Sequence, residues 1–203
     1  MEEHQRDRIV DATIEIFAKR GYQGTTIDHI VAGARVGVGS FYALLDGKED
    51  CFLRAYDRIV AAASELIAAA LPPAAPWPQR VRAAVRTLLE LIAAEPLRAR
   101  IVLVEVQTAG PIALARYQAT LDELIALLRH GRELSPHAAE LPSTLEEANV
   151  SGIAWLLHQQ VVMGEVDGIE QLLPDLLGIL LEPYLGEAEV QRLISSEPAP
   201  VSA

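Results

Sequence analysis

The chain has 203 residues, of which 51% are apolar and 22% charged, and its net charge at pH 7 is −11. That size supports a core of one or two domains, and the ordinary composition excludes a disordered or fibrous chain. No stretch is apolar for long enough to span a bilayer, because Pro72 and Pro73 break the run from Leu66 to Ala75. The first residues lack the pattern of a signal peptide, and the single cysteine, Cys51, rules out an internal disulfide. A cytoplasmic protein with no membrane partner is expected.

The abundance of Ala and Leu favours helices throughout. Residues 6–20 read as a first helix with Ile9, Thr13, Ile16 and Phe17 on one face, Lys19 and Arg20 in its last turn, and Gly21 as its stop. Thr25-Thr26-Ile27-Asp28 is a start signal of the capping-box type, with Asp28 at the acidic position. Ile27, Ile30, Val31 and Ala34 make a short second helix, and after Arg35 the run Gly37 to Tyr42 opens a third. Two short helices joined by a tight turn fit a helix-turn-helix. Asp46 or Gly47 caps a fourth helix from Lys48 to about Leu71. Beyond the proline-rich stretch 72–78, further helices are expected near 77–94, 96–107, 111–132, 144–164 and 168–184. Pro174 stands either near the start of the last of these or inside it. The polar residues 195–203 read as a disordered tail.

The order Gly21-Tyr22, Thr25-Thr26-Ile27, Ile30, Val36 to Tyr42 and Lys48-Glu49-Asp50 resembles the TetR/AcrR family of bacterial repressors over residues 6–60. The resemblance implies an all-α chain. Residues 1–48 would be a three-helix helix-turn-helix DNA-binding domain, and residues 49–194 a helical bundle for ligand binding and dimerisation. Thr26 would then offer its hydroxyl and nearby N–H groups to a phosphate. Gly37, Val38, Gly39 and Ser40 would face the major groove of a double-stranded operator, the glycines allowing close approach and Val38 meeting a thymine methyl. Tyr42 and Lys48 would contact phosphates, and Phe41 would pack inward. Two departures stand out: Leu44 and Leu45 where the family often has an aromatic pair, and Arg35 at a turn position often held by Gly. Residues 1–50 also carry six Lys and Arg against nine Asp and Glu, a poor charge balance for a phosphate partner.

In the second half, Glu105, Gln107 and Thr108 interrupt an apolar run, and with Tyr117, Trp155 and His158 they are candidates to line a pocket for a small-molecule effector. Two stripes are candidates for a homodimer interface. One is Ile153, Leu156, Leu157, Gln160, Val161 and Gly164; the other is Leu172, Leu173, Leu176 and Leu180, with Leu177 and Ile179 alongside. His158 with Glu105 matches no metal-ligand spacing, so no metal and no cofactor are expected. Cys51, one turn into the fourth helix, is a candidate low-pKa thiol. No nucleophile elbow, phosphate loop or acid pair supports an enzyme. The remaining alternative is a helical adaptor that binds protein without DNA.

Overall fold

The computed structural model describes residues 2–70 and 74–196, with the backbone alone for residues 2–4. Every regular element among them is helical. In order they are α1 (Glu2–Arg20), α2 (Ile27–Ala34), α3 (Val38–Tyr42), α4 (Lys48–Ala70), α5 (Trp77–Ala94), α6 (Pro96–Leu103), α7 (Pro111–Arg129), α8 (Gly131–Leu134), α9 (Leu145–Met163), α10 (Leu173–Leu185) and α11 (Glu187–Ser195). Short 3-10 turns lie at Glu105–Thr108, Ala138–Glu140 and Ile169–Leu172. The expected class, a three-helix head followed by a helical bundle, is the architecture found. The proline pair Pro72-Pro73 and residues 197–203 of the expected tail lie outside the described residues.

Prolines mark several helix starts. Pro78, Pro96, Pro111 and Pro174 occupy the first or second positions of α5, α6, α7 and α10. The first-turn N–H groups have no partner within a helix, so a missing one is no loss there. Pro174 therefore opens α10. The helix expected over 96–107 ends at Leu103 and continues as a 3-10 turn, because the Glu105 side chain is drawn back toward the head. The helix expected over 111–132 is broken at His130. Gly131 passes so close to Trp77 that a Cβ would lie 2.4 Å from the indole ring. Helix α11 escaped sequence reading because Val190 is its sole fully buried residue. Arg82 holds its end, donating from Nη1 to the Leu193 carbonyl at 2.6 Å and from Nη2 to that of Ser196 at 2.8 Å. Ser195 and Ser196 thus belong to a capped helix end and not to a tail.

One apolar core runs from head to body, joining Phe17, Phe41 and Phe52 to Ile101, Val106, Tyr117 and Leu181. A smaller cluster of Leu89, Ile92, Leu157, Val161, Ile169 and Leu176 closes the body between α5, α9 and α10. A polar corner pins five helices. Arg132 donates from Nε and Nη2 to the two carboxylate oxygens of buried Glu146, at 2.7 and 3.0 Å, and the Tyr184 hydroxyl donates to one of them at 2.6 Å. The Trp77 indole N–H donates to the Leu127 carbonyl at 2.9 Å, with the ring edge-on to Tyr184. Burial pushes the Glu146 carboxyl up, but the hydrogen bonds from Arg132 and Tyr184 outweigh it and hold it below the usual carboxylate range.

Candidate nucleic-acid interface

The start of α2 is built one residue later than the sequence reading places it. Thr26, with extended backbone, is the N-cap: its Oγ1 accepts the His29 N–H at 3.3 Å, and His29 Nδ1 accepts the Thr26 N–H at 3.2 Å. His29 therefore closes the box, and Asp28 does not. Because Nδ1 accepts, the ring carries its proton on Nε2. Thr25 is buried instead, donating its hydroxyl to the Gly21 carbonyl at 2.8 Å. At the other end of α2, Arg35 adopts the left-handed conformation with φ 55°, the single positive φ outside glycine among the described residues. That costs about 1–2 kcal/mol for a residue with a Cβ.

Helix α3 is five residues long and is held by two apolar anchors, Phe41 and Leu45, both buried. Phe41 points inward as expected, and Leu44 is half-buried against the same core. Gly37, Val38, Gly39, Ser40 and Tyr42 face solvent, Val38 being 48% and Tyr42 56% exposed, and Thr26 is exposed as well. A Cβ built at Gly37 or Gly39 would meet nothing within 4 Å. Internal packing thus makes no demand for glycine at either position.

Lys48 does not project from this surface. Its ammonium donates to the carbonyls of Tyr22 at 3.0 Å and Thr25 at 3.1 Å, and it sits 4.2 Å from the centre of the Tyr22 ring. Arg8 likewise donates to the Ala34 carbonyl at 3.2 Å, and Arg58 of α4 is paired with Asp7 and Asp11. Cys51 is fully buried and its thiol is pushed up to about 12 by burial, the opposite of a reactive low-pKa site.

The proposed pocket set is scattered. Glu105 is 6% exposed and is spent on the Tyr22 N–H at 2.7 Å and on Arg100 Nε at 3.0 Å. The Thr108 carbonyl accepts Gln23 Nε2 at 3.0 Å, and Gln107 is exposed. Tyr117 is buried in the continuous core, whereas Trp155 is 57% exposed. His158 packs edge-on to Trp155, with Nδ1 2.8 Å from the Leu103 carbonyl. Among the described residues, two open clefts stand out. One, of about 710 Å³, lies along α10 and α11 between Pro174 and Ile194; the other, of about 310 Å³, lies between Asp46 and Ile112. Neither is lined by any of the six.

The stripes chosen for dimerisation face inward in large part. Leu157, Val161, Leu176 and Leu180 are buried within the single chain, and Ile153, Leu156, Gln160, Leu172 and Leu173 are half-buried. Gly164 ends α9 as an exposed left-handed cap. The outward faces carry other residues: Trp155, Val162 and Met163 on α9, with Met163 68% exposed, and Ile179 on α10. Asn149 of α9 donates to the Ile179 carbonyl at 3.0 Å and ties the two faces together. A strictly helical stripe does not say which side of a buried helix meets its own chain, so this choice was beyond periodicity alone.

A short helix that exposes Val38, Gly39, Ser40 and Tyr42, seated by Phe41 on a three-helix head, has the form of a helix-turn-helix domain. Residues 9–55 match the family described as "Bacterial regulatory proteins, tetR family". A stretch of 52 residues is 33% identical to the biofilm operon icaADBC HTH-type negative transcriptional regulator IcaR of Staphylococcus epidermidis, spanning 26% of this chain and 28% of that relative's length. Over the whole fold, a TetR-like transcriptional regulator from Rhodococcus sp. RHA1 superposes with a TM-score of 0.69 at 22% identity, covering 90% of this chain and 97% of that one. AibR in complex with isovaleryl coenzyme A and operator DNA superposes with a TM-score of 0.68 at 18% identity, covering 87% and 97%. Residues 9–55 thus resemble a tetR-family helix-turn-helix domain, and the whole chain shares the all-α fold of these two solved regulators. No described helix is long and apolar enough to cross a membrane.

Proposed function

We propose that the protein is a ligand-responsive transcriptional repressor that binds a near-palindromic operator as a homodimer in the cytoplasm. The observation that carries this reading is the surface of α3, where glycine at 37 and 39 serves no internal contact and leaves room for a close external one. Val38 and Ser40 read bases in this scheme, while Thr26 and Tyr42 hold phosphates. With Lys48 turned inward, the surface relies on neutral donors, and affinity leans on two heads acting together about 34–36 Å apart. The dimer forms through the outward faces of α9 and α10, two helices from each subunit. The effector is small and apolar or amphipathic. A coenzyme A thioester is the first to test, since AibR is bound to isovaleryl coenzyme A. It acts only insofar as it binds one state of the dimer better than the other.

Fluorescence anisotropy with duplexes taken from the DNA flanking the protein's own gene tests the reading. Wild type binds, and Tyr42→Phe, which removes one hydroxyl from an exposed ring, weakens binding about tenfold. Absence of wild-type binding at low salt overturns the repressor and leaves the protein-binding adaptor.

A further inference from the structure

We propose that Glu105 is a positioning residue that sets the angle of the DNA-binding head on the body, and so the separation of the two α3 helices in the dimer. This rests on the operator-binding dimer proposed above. The turn joining α1 to α2, residues 21–25, is gripped from two sides. From the body, Glu105 Oε2 accepts the Tyr22 N–H at 2.7 Å, Arg100 Nε donates to Oε1 at 3.0 Å, and the Thr108 carbonyl accepts Gln23 Nε2. From α4, the Lys48 ammonium donates to the carbonyls of Tyr22 and Thr25. Gly21, at φ 71°, lies so near that a Cβ there would stand 3.0 Å from Glu105 Oε2.

Apolar contacts also join head and body, with Phe17 stacked on Tyr22 and Phe52 edge-on to both. Such contacts are non-directional and tolerate small rotations. A hydrogen bond from one main-chain N–H to a side-chain oxygen is short and directional, and it fixes the rotation. The polar interruption at Glu105 in an otherwise apolar run is thereby explained without a ligand. In a two-fold dimer, any rotation of one head is matched by the other, so a small angular change moves both recognition helices.

The test uses the full chain with a spin label on Ser40→Cys, since buried Cys51 does not compete for the reagent. The distance distribution between the two labels in the dimer is narrow in wild type and in Glu105→Gln, which keeps an acceptor at the same reach. It is about twofold broader or displaced in Glu105→Ala and in Glu105→Asp, whose carboxylate falls one methylene short. If Glu105→Ala does not fold, Glu105→Asp decides. A second readout uses duplexes selected from random sequence, then altered by one base pair between half-sites. The change is about 3.4 Å in spacing and a tenth of a turn. Unlabelled wild type and Glu105→Gln lose about tenfold in affinity on the altered duplex, and Glu105→Ala and Glu105→Asp less than about threefold. Narrow, unshifted label distances in both Glu105→Ala and Glu105→Asp overturn the proposal. Broadened distances with no DNA binding by wild type sustain the positioning role and remove the operator reading alone.

Discussion

Lys48 shows how a residue's type can suggest one task and its surroundings assign another. A lysine at a helix start near a DNA-binding surface suggests a phosphate contact. Here two of its three donors are taken by main-chain carbonyls and its charge lies against the Tyr22 ring. Lys48→Met should therefore lower stability by about 1–3 kcal/mol, read by urea denaturation. The slope of log affinity against log salt should stay as in wild type. A true phosphate contact would reduce that slope by about one unit per subunit, and that outcome would return Lys48 to the interface. His29 shows the reverse case. It replaces the expected acid in the capping box because the cap is Thr26, which puts His29 at the third position, where its Nδ1 accepts the Thr26 N–H.

At the level of elements, helix starts were legible because proline, threonine and glycine act locally. α2, α3, α4, α5 and α7 begin within a residue or so of where the sequence places them. What periodicity could not resolve was orientation in a chain where Leu and Ala occur on every face. Leu157 and Val161 were read as an interface and are core, whereas Trp155 and Met163 stand outside. The two groups separate experimentally. On the proposed dimer reading, Trp155→Asp with Met163→Asp should convert a wild-type dimer to monomer in sedimentation velocity while leaving the thermal transition of the monomer cooperative. Leu157→Ala should cost about 3 kcal/mol through its cavity and leave the association state unchanged. The ligand set is scattered for another physical reason: Glu105 is polar because its carboxylate meets the head, and a contact across 83 positions leaves no local pattern.

For the molecule as a whole, the Glu146 corner is expected to contribute to the response to acid. Its carboxyl is held below its value in the unfolded chain, so the stability it contributes is complete above the unfolded value of about 4.3 and is lost as pH falls through the folded one. Urea midpoints measured near neutrality and again well below pH 4 should fall steeply for wild type. Glu146→Gln should start lower, because Arg132 loses its buried partner, and fall less over the same window. An equal fall in both would assign acid sensitivity to other carboxylates.

The way cations are committed has a kinetic consequence. Arg8 and Lys48 are held against this chain's own carbonyls and Arg58 against carboxylates, and although Arg20 and Arg35 stay exposed, residues 1–50 remain net acidic. Lodging on arbitrary DNA depends on cations set free to displace counterions. On the repressor reading, such a molecule spends little time on bulk DNA and most of its copies stay unbound. Search then proceeds by repeated collisions in three dimensions more than by sliding, and operator occupancy follows the number of copies in the cell closely, with little buffering by the rest of the genome.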